Sequence, residues 1–177
     1  MRQLFYYLTI LLLLSSCGQP TKYVVKNNLV YFQGWNEAKG NYEVLLKGVS
    51  AKSFKVIDTD CNMIVGKDNK SVFIDYSKLE NADASSFEYI GNYFFKSKDS
   101  VYFFGFYNSF DDCEVVGVNP ATFQIDKKYP WAYDRHLVIY GHTVLDSVDF
   151  ESFKVIDKLK AQDKYANYVD GKRVIRK

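Results

Sequence analysis

The chain has 177 residues, 18% of them aromatic and 25% charged, with a formal net charge of +2. Because no basic stripe accompanies this near-neutral balance, a nucleic-acid partner is not expected. The composition is that of a globular protein, and the length favours one domain. The lysines that recur near polar turns are interpreted as solvated turn residues: Lys26, Lys67, Lys98 and Lys172.

Residues 1–16 have the pattern of a bacterial lipoprotein signal peptide. Arg2 gives a short positive start, and the apolar run over 4–14 has the length of a secretory segment and is too short to span a membrane comfortably. The run ends in Leu14-Ser15-Ser16-Cys17, which resembles a lipobox, so we expect cleavage before Cys17 and lipidation of its sulfur. The alternative is an ordinary signal peptide with a cysteine at this place by chance.

An acylated Cys17 predicts a lipid bilayer as the first partner, because several acyl chains anchor a protein stably where one is marginal. Residues 17–22 then form a lipid-anchored tether, and a single repeat-built domain occupies 23–177. Gly18 is not the aspartate of a retention signal, which favours the outer membrane of the bacterial cell envelope.

One motif recurs from residue 26 to the C-terminus: a polar turn cluster that leads into an apolar β-forming run. Its best copy is Lys67-Asp68-Asn69-Lys70-Ser71-Val72-Phe73-Ile74. This pattern is typical of a tight turn followed by a strand. The copies lie at 26–32, 67–75, 98–103, 134–140 and 170–175.

A second motif follows each of the first four turns. It consists of a small apolar residue, then Ser, Asp or Asn, two variable residues, Ser or Thr, and Phe. Side chains of Ser, Asp and Asn accept backbone N–H groups two or three positions on, so they start a helical turn. Strand-like runs come next. The copies lie at 49–54, 82–87, 118–123 and 148–153.

The two motifs together predict a mainly β fold. Valines of the first motif recur at spacings of 29 to 42 residues, which is the range of repeat architectures. Asp170-Gly171 suits the tight turn of a final hairpin. We therefore expect an antiparallel meander of repeated hairpin units with short helical turns, arranged as an open curved sheet or a small propeller-like array.

The alternating motifs, Lys-Asp-Asn-x-x-Val-Phe/Tyr and Ala-Asp-x-x-Ser/Thr-Phe-x-x-Ile, resemble the repeats of the DKNYY family of bacterial proteins. The resemblance extends from Tyr23 to the C-terminus and rests on the repetition. It implies a repeat-built protein and supplies no catalytic residues.

Two of the sequence repeats carry extra residues, at 33–48 and 104–117. An added hairpin in each is the simpler interpretation; the alternative is a binding face, because insertions in repeat proteins cluster on one side. Trp131 follows Pro130 and is expected in a surface loop. Six aromatic or acidic residues are candidate ligand-binding residues: Trp35, Tyr42, Tyr107, Asp111, Asp112 and Trp131.

Cys61 and Cys113 are the cysteines that remain after lipidation. An oxidising compartment permits a disulfide between them, but two unpaired buried thiols or a reactive cysteine fit the sequence as well. His136 and His142 bracket one predicted strand, about 20 Å apart along it, which is too far to share one ion. No metal site and no cofactor are expected.

No catalytic signature is present in the sequence, so an enzyme is not expected. The predicted function is a membrane-anchored envelope lipoprotein whose non-catalytic repeat domain has a structural or protein-interaction role. The alternative is a carbohydrate- or peptide-binding module that uses the extended units around Trp35 and 106–112. An envelope protein or a glycan is the corresponding partner.

Overall fold

Strands dominate the computed structural model, which describes residues 21–105 and 113–175. The chain separates by its internal contacts into two compact units, Met1–Lys52 and Ser53–Lys177, and each is described by itself. Cys17 and the segment 1–16 lie outside the described residues. The predicted signal peptide, the tether and the single domain over 23–177 stay predictions.

The first unit contains one antiparallel sheet in the order β1-β2-β3. Its strands are β1 (Lys22–Lys26), β2 (Leu29–Asn36) and β3 (Gly40–Leu45). Alternate residues of a strand point to opposite faces, so Val30 and Phe32 fill the buried face while Trp35 lies on the other. The hairpin predicted within 33–48 is confirmed by the pairing of β2 with β3.

The second unit contains four further sheets, and in each the strands pair antiparallel in chain order. The first two sheets are formed by β4 (Lys55–Ile57), β5 (Val65–Lys67), β6 (Val72–Ile74) and β7 (Ser77–Leu79), and by β8 (Glu88–Gly91), β9 (Phe94–Lys96) and β10 (Val101–Phe103). The last two are formed by β11 (Phe123–Ile125), β12 (Trp131–Asp134), β13 (Leu137–Tyr140) and β14 (Thr143–Val144), and by β15 (Lys154–Val155), β16 (Lys160–Gln162), β17 (Ala166–Val169) and β18 (Lys172–Ile175).

This arrangement confirms the predicted mainly β fold of antiparallel hairpin units. The final hairpin turns at Asp170-Gly171, whose φ angles of 51° and 69° are both positive, as a type I′ turn requires. No helix among the described residues is long and apolar enough to cross a membrane.

The short helical turns are confirmed as well. The Asp83 carboxylate accepts the N–H of Ser85 at 2.9 Å, and the Asn119 side chain accepts the N–H of Ala121 at 2.9 Å. The fourth copy is a 3₁₀ turn, Phe150–Ser152, capped by the Asp149 side chain. We call these segments, at 83–86, 119–122 and 149–152, the capped turns.

The valines of the first motif form the core of their sheets. Val72, Val101 and Val138 are fully buried, and so is Val30 in the first unit. Val174 is 45% exposed because it belongs to β18, the edge strand of the last sheet. The first motif is apolar at its valine position because that position is buried in the first four copies.

Candidate functional site

The acidic residue of the hairpin turn holds that turn closed. Asp68 Oδ1 accepts the N–H groups of Lys70 and Ser71, each at 2.8 Å. In the last sheet, Asp163 Oδ1 likewise accepts the N–H groups of Tyr165 and Ala166, each at 2.7 Å. These carboxylates are buried, so the hydrogen bonds replace the water that they lose.

The second carboxylate oxygen reaches the capped turn of the same sheet. Asp163 Oδ2 accepts the N–H of Asp149 at 3.0 Å, and Asp134 Oδ2 accepts the N–H of Asn119 at 2.7 Å. The Thr122 hydroxyl donates to the other oxygen of Asp134. One buried carboxylate therefore joins a hairpin to the capped turn of its sheet.

A return hydrogen bond runs from the hairpin turn to the serine of the capped turn. Lys98 N–H donates to Ser86 Oγ at 2.8 Å, and Lys164 N–H donates to Ser152 Oγ at 2.9 Å. We call the hydrogen bonds between a capped turn and the hairpin turn of its sheet the turn latch. The latch explains why the two motifs recur together.

The latch also changes the acidity of Asp163. Burial opposes ionisation of this carboxyl and is the largest single influence on its pKa. Hydrogen bonds from the N–H of Asp149, the Tyr168 hydroxyl and the N–H groups of Tyr165 and Ala166 together outweigh it and lower the pKa to about 2. The carboxylate is thus charged and fully engaged at neutral pH.

Lys67, the last residue of β5, connects its sheet to the segment that leads into the next sheet of the second unit. Lys67 Nζ donates to the carbonyl oxygens of Ala84 at 2.8 Å and Phe87 at 2.7 Å. Burial lowers the pKa of this ammonium group. The interpretation of Lys67 as a solvated turn residue is therefore wrong, because its side chain caps carbonyl groups of the segment just before β8.

Trp35 is 46% exposed and lies on the outer face of the first sheet. Gln33 and Glu43 share this face, where Lys26 and Gln33 donate to the Glu43 carboxylate at 2.5 and 2.8 Å. These hydrogen bonds, that of Lys26 first, lower the pKa of Glu43. Tyr42 lies on the opposite face with its ring 6.0 Å from Phe32. Trp35 and Tyr42 therefore do not form one site.

The expectation that Trp131 lies in a surface loop is wrong. It is the first residue of β12 and is fully buried, with its ring 4.7 Å from Tyr140 and 5.7 Å from Phe153. The indole N–H donates to the carbonyl of Asp157 at 3.0 Å. Pro130 ends the loop, and the next residue already belongs to the core.

Tyr107, Asp111 and Asp112 lie outside the described residues. Next to them, Phe103 N–H donates to the carbonyl of Cys113 and Val115 N–H to that of Val101, both at 2.8 Å. The end of the 104–117 extension thus pairs with β10.

Neither Cys61 nor Cys113 forms a disulfide in the described part of the chain. Both belong to the core of the first sheets in the second unit, Cys113 buried and Cys61 at its margin. Burial, more than any other influence, raises the pKa of Cys61 to about 11. Cys113 is thus a buried thiol and Cys61 a half-buried one.

His136 lies exposed in the turn between β12 and β13, with its ring edge-on to Phe150 at 5.6 Å. Across residues 21–105 and 113–175, no three His, Cys, Asp or Glu side chains come together as a group that could hold a metal ion.

The second unit contains a cleft with a volume of about 570 Å³ between its last two sheets, and Phe103 of the preceding sheet also lines it. Its floor includes Phe103, Pro130 and Gly141. Its walls carry two tyrosines and four polar residues, and we call it the tyrosine cleft: Tyr129, Tyr140, His142, Thr143, Lys158 and Asp170. No local sequence pattern indicates this cleft, because these residues come from four separate turns and strands.

A second cleft, of about 580 Å³, lies between the same two sheets and is bordered by Tyr133, Arg135 and Phe150. The Tyr133 hydroxyl donates to Asp126 at 3.0 Å, and burial, followed by this carboxylate, raises the pKa of Tyr133.

Comparison with known proteins agrees with the repeat pattern. No curated protein and no solved structure matches the chain significantly. The model of the DKNYY family matches residues 23–174, which include all the described sheets except the ends of the first and the last. The chain therefore belongs to the DKNYY family.

Proposed function

We propose that the protein is a lipid-anchored lipoprotein of the bacterial cell envelope, held at the membrane through Cys17, with a non-catalytic repeat domain in a structural or protein-interaction role. The observation that supports the anchor is the lipobox-like Leu14-Ser15-Ser16-Cys17 after the apolar run. Two or more acyl chains give stable anchoring. The absence of a retention aspartate at Gly18 favours the outer membrane.

The repeat chemistry supports a non-catalytic domain. Asp163 joins its hairpin turn to its capped turn, and Asp134 binds its capped turn through both carboxylate oxygens. A carboxylate engaged in this way cannot act as an acid or base without breaking the fold around it. The exposed Trp35, with Leu29 and Leu45 on the same face, offers a surface for a protein partner instead.

Metabolic labelling with a clickable fatty acid tests the anchor. We expect label on the unchanged protein, none on Cys17→Ser, and full label on Cys61→Ser, the matched control that removes a different cysteine. Equal labelling of the unchanged protein and Cys17→Ser would contradict lipidation at this residue.

Site-specific photo-crosslinking in cells tests the interaction role. A photoreactive amino acid at Trp35 is expected to give a discrete crosslinked product. The control position is Tyr165, which is also exposed, at 61%, but lies in the last sheet. The same products from both positions, or none from Trp35, would count against a partner on the outer face of the first sheet.

A carbohydrate- or peptide-binding role is the second candidate, favoured by the exposure of Trp35 beside the Gln33–Glu43 pair. An indole ring beside hydrogen-bonding side chains suits a sugar ring or a peptide. Binding to peptidoglycan fragments that is lost in Trp35→Ala and kept in Tyr76→Ala supports it. Unchanged binding in Trp35→Ala would remove this site assignment.

A further inference from the structure

The tyrosine cleft has rigid aromatic walls. The Tyr129 ring stacks on Phe103 at 6.0 Å and lies 5.3 Å from the ring of Tyr93. Tyr140 meets the buried Trp131 edge-on at 4.7 Å, and its hydroxyl donates to Asp170 at 2.7 Å. Both rings are therefore fixed before a ligand arrives, which reduces the entropy lost on binding.

The charges at the mouth of the cleft are balanced. Lys158 contributes an ammonium group and Asp170 a carboxylate. Lys158 makes no salt bridge among the described residues, and Tyr140 takes only one of the acceptor positions of Asp170. A cationic ligand would meet Lys158 and an anionic one would meet Asp170, so the pair disfavours a ligand that carries a net charge.

The polar groups supply both donors and acceptors. Lys158 donates, Asp170 accepts, and the Thr143 hydroxyl and the His142 imidazole can do either. A ligand rich in hydroxyl groups, each able to donate and accept, fits this mixture. A sugar ring also presents an apolar face of C–H groups that packs against an aromatic ring. The cleft volume of about 570 Å³ lies within the usual range of small-molecule sites.

We propose that the tyrosine cleft binds a neutral saccharide of one or two rings. The sugar packs its C–H face against Tyr129 or Tyr140, while its hydroxyl groups bind Lys158 and Asp170. This site is separate from the outer face of the first sheet and uses none of the candidate residues on that face. The inference therefore stands or falls independently of the lipid anchor and of Trp35.

Titration of the full chain with a defined panel of sugars tests the proposal. The protein is kept in a detergent without a sugar headgroup, and the probes are glucose, galactose, N-acetylglucosamine and their β-linked disaccharides. Saturation-transfer NMR detects binding, and calorimetry measures it. We expect at least one probe to bind saturably with a Kd of about 1 mM or below, which corresponds to about −4 kcal/mol.

Two conservative variants locate the binding. Lys158→Met keeps the aliphatic stem and removes the ammonium group; Asp170→Asn keeps an acceptor for Tyr140 and tolerates the φ of 51°. We expect each to weaken saccharide binding about tenfold, since a hydrogen bond to a charged group contributes about 1.5 kcal/mol or more. Thr143→Trp fills the mouth of the cleft and should abolish binding.

Matched controls separate these effects from misfolding and from other sites. Lys154→Met removes an exposed lysine of β15 that does not line the cleft, and it should leave Kd unchanged. Thermal unfolding verifies that each variant is folded. The proposal is overturned if no sugar binds at tens of millimolar, or if tetramethylammonium or inorganic phosphate binds the cleft in preference. It is also overturned if Trp35→Ala abolishes sugar binding while all three cleft variants retain it.

Discussion

At the scale of single residues, the buried carboxylate of Asp163 makes the strongest prediction. Its folded-state pKa of about 2 lies below the ordinary 3.8, so the stabilisation that it provides is complete above the ordinary value and is lost as pH falls through about 2. Asp163→Asn replaces an acceptor by an amide that cannot satisfy the same four donors. We expect it to lower the free energy of unfolding by about 1–3 kcal/mol at neutral pH.

Urea unfolding at several pH values measures this effect. Asp157→Asn is the control, because Asp157 is exposed and accepts two turn N–H groups through one oxygen without reaching a capped turn. The difference between the Asp163 variant and the unchanged protein should shrink toward pH 2 and stay constant above pH about 4. Equal losses from the two variants would contradict a special role for the buried carboxylate.

Replacing each of the two tryptophans is expected to change stability by very different amounts. Trp131→Ala removes a fully buried ring and leaves the Asp157 carbonyl without its indole donor, so the free energy of unfolding should fall by about 3–5 kcal/mol. Trp35→Ala changes an exposed side chain and should change the free energy of unfolding by less than about 1 kcal/mol. Chemical denaturation measures both. Similar losses would show that Trp35 is also buried in solution.

Thiol labelling tests the state of the cysteines. Burial raises the pKa of Cys61 to about 11, so little thiolate is present at pH 8, and Cys113 is buried. Maleimide should therefore modify neither residue in minutes under native conditions, and both after unfolding without reductant. The assay uses the Cys17→Ser variant, in which Cys61 and Cys113 are the remaining cysteines, and mass spectrometry counts the labels. Two thiols that stay unlabelled after unfolding would indicate a disulfide.

At the scale of elements, the turn latch accounts for the joint recurrence of the two motifs. Ser85 and Ser86 provide a matched test within one capped turn. Both hydroxyls donate to Asp83, but only Ser86 also accepts the N–H of Lys98. Ser86→Ala should lower the free energy of unfolding by about 1–2 kcal/mol and Ser85→Ala by about half of that or less.

Amide hydrogen exchange gives a second measure of the same contact. In Ser86→Ala the Lys98 amide should exchange faster, because it has lost its acceptor, while Ser85→Ala should leave its rate unchanged. An unchanged Lys98 rate in Ser86→Ala would contradict the latch.

Local chemistry made the hairpins and capped turns predictable, whereas longer contacts were not. Asp83 and Asn119 cap their turns through neighbours two residues away, and such bonds can be read from a short motif. The latch joins residues 12 to 15 apart, as in Asp163 to Asp149. The similar spacing from the capping Asp or Asn to the later Asp was a signal for it, but the contact follows from that spacing only once the hairpin register is known.

The errors have the same origin. Pro130 suggested a loop, but only the pairing of β12 with β13 places Trp131 in a strand and in the core. Lys67 looked like a solvated turn residue because its acceptors, in the segment just before β8, are 17 and 20 residues away. The tyrosine cleft draws on residues from 103 to 170, so no local pattern announces it.

At the scale of the whole molecule, the DKNYY repeat accounts for the fold, and our proposals place function at two sites among the described residues. The repeated residues maintain the sheets: valines fill the core, and acidic residues hold the turns together. The residues proposed for binding are Trp35 on the first sheet and the walls of the tyrosine cleft in the second unit. The proposed lipid anchor would hold both at a membrane.

The mass of the mature N-terminus tests the central claim, the lipid anchor, most directly. The protein is extracted from membranes with detergent, digested, and its N-terminal peptide measured by mass spectrometry. The account predicts a peptide that begins at Cys17 and carries a thioether-linked diacylglycerol, with a further acyl chain on the new amino group. A mature chain that begins elsewhere, or at an unmodified Cys17, would contradict it.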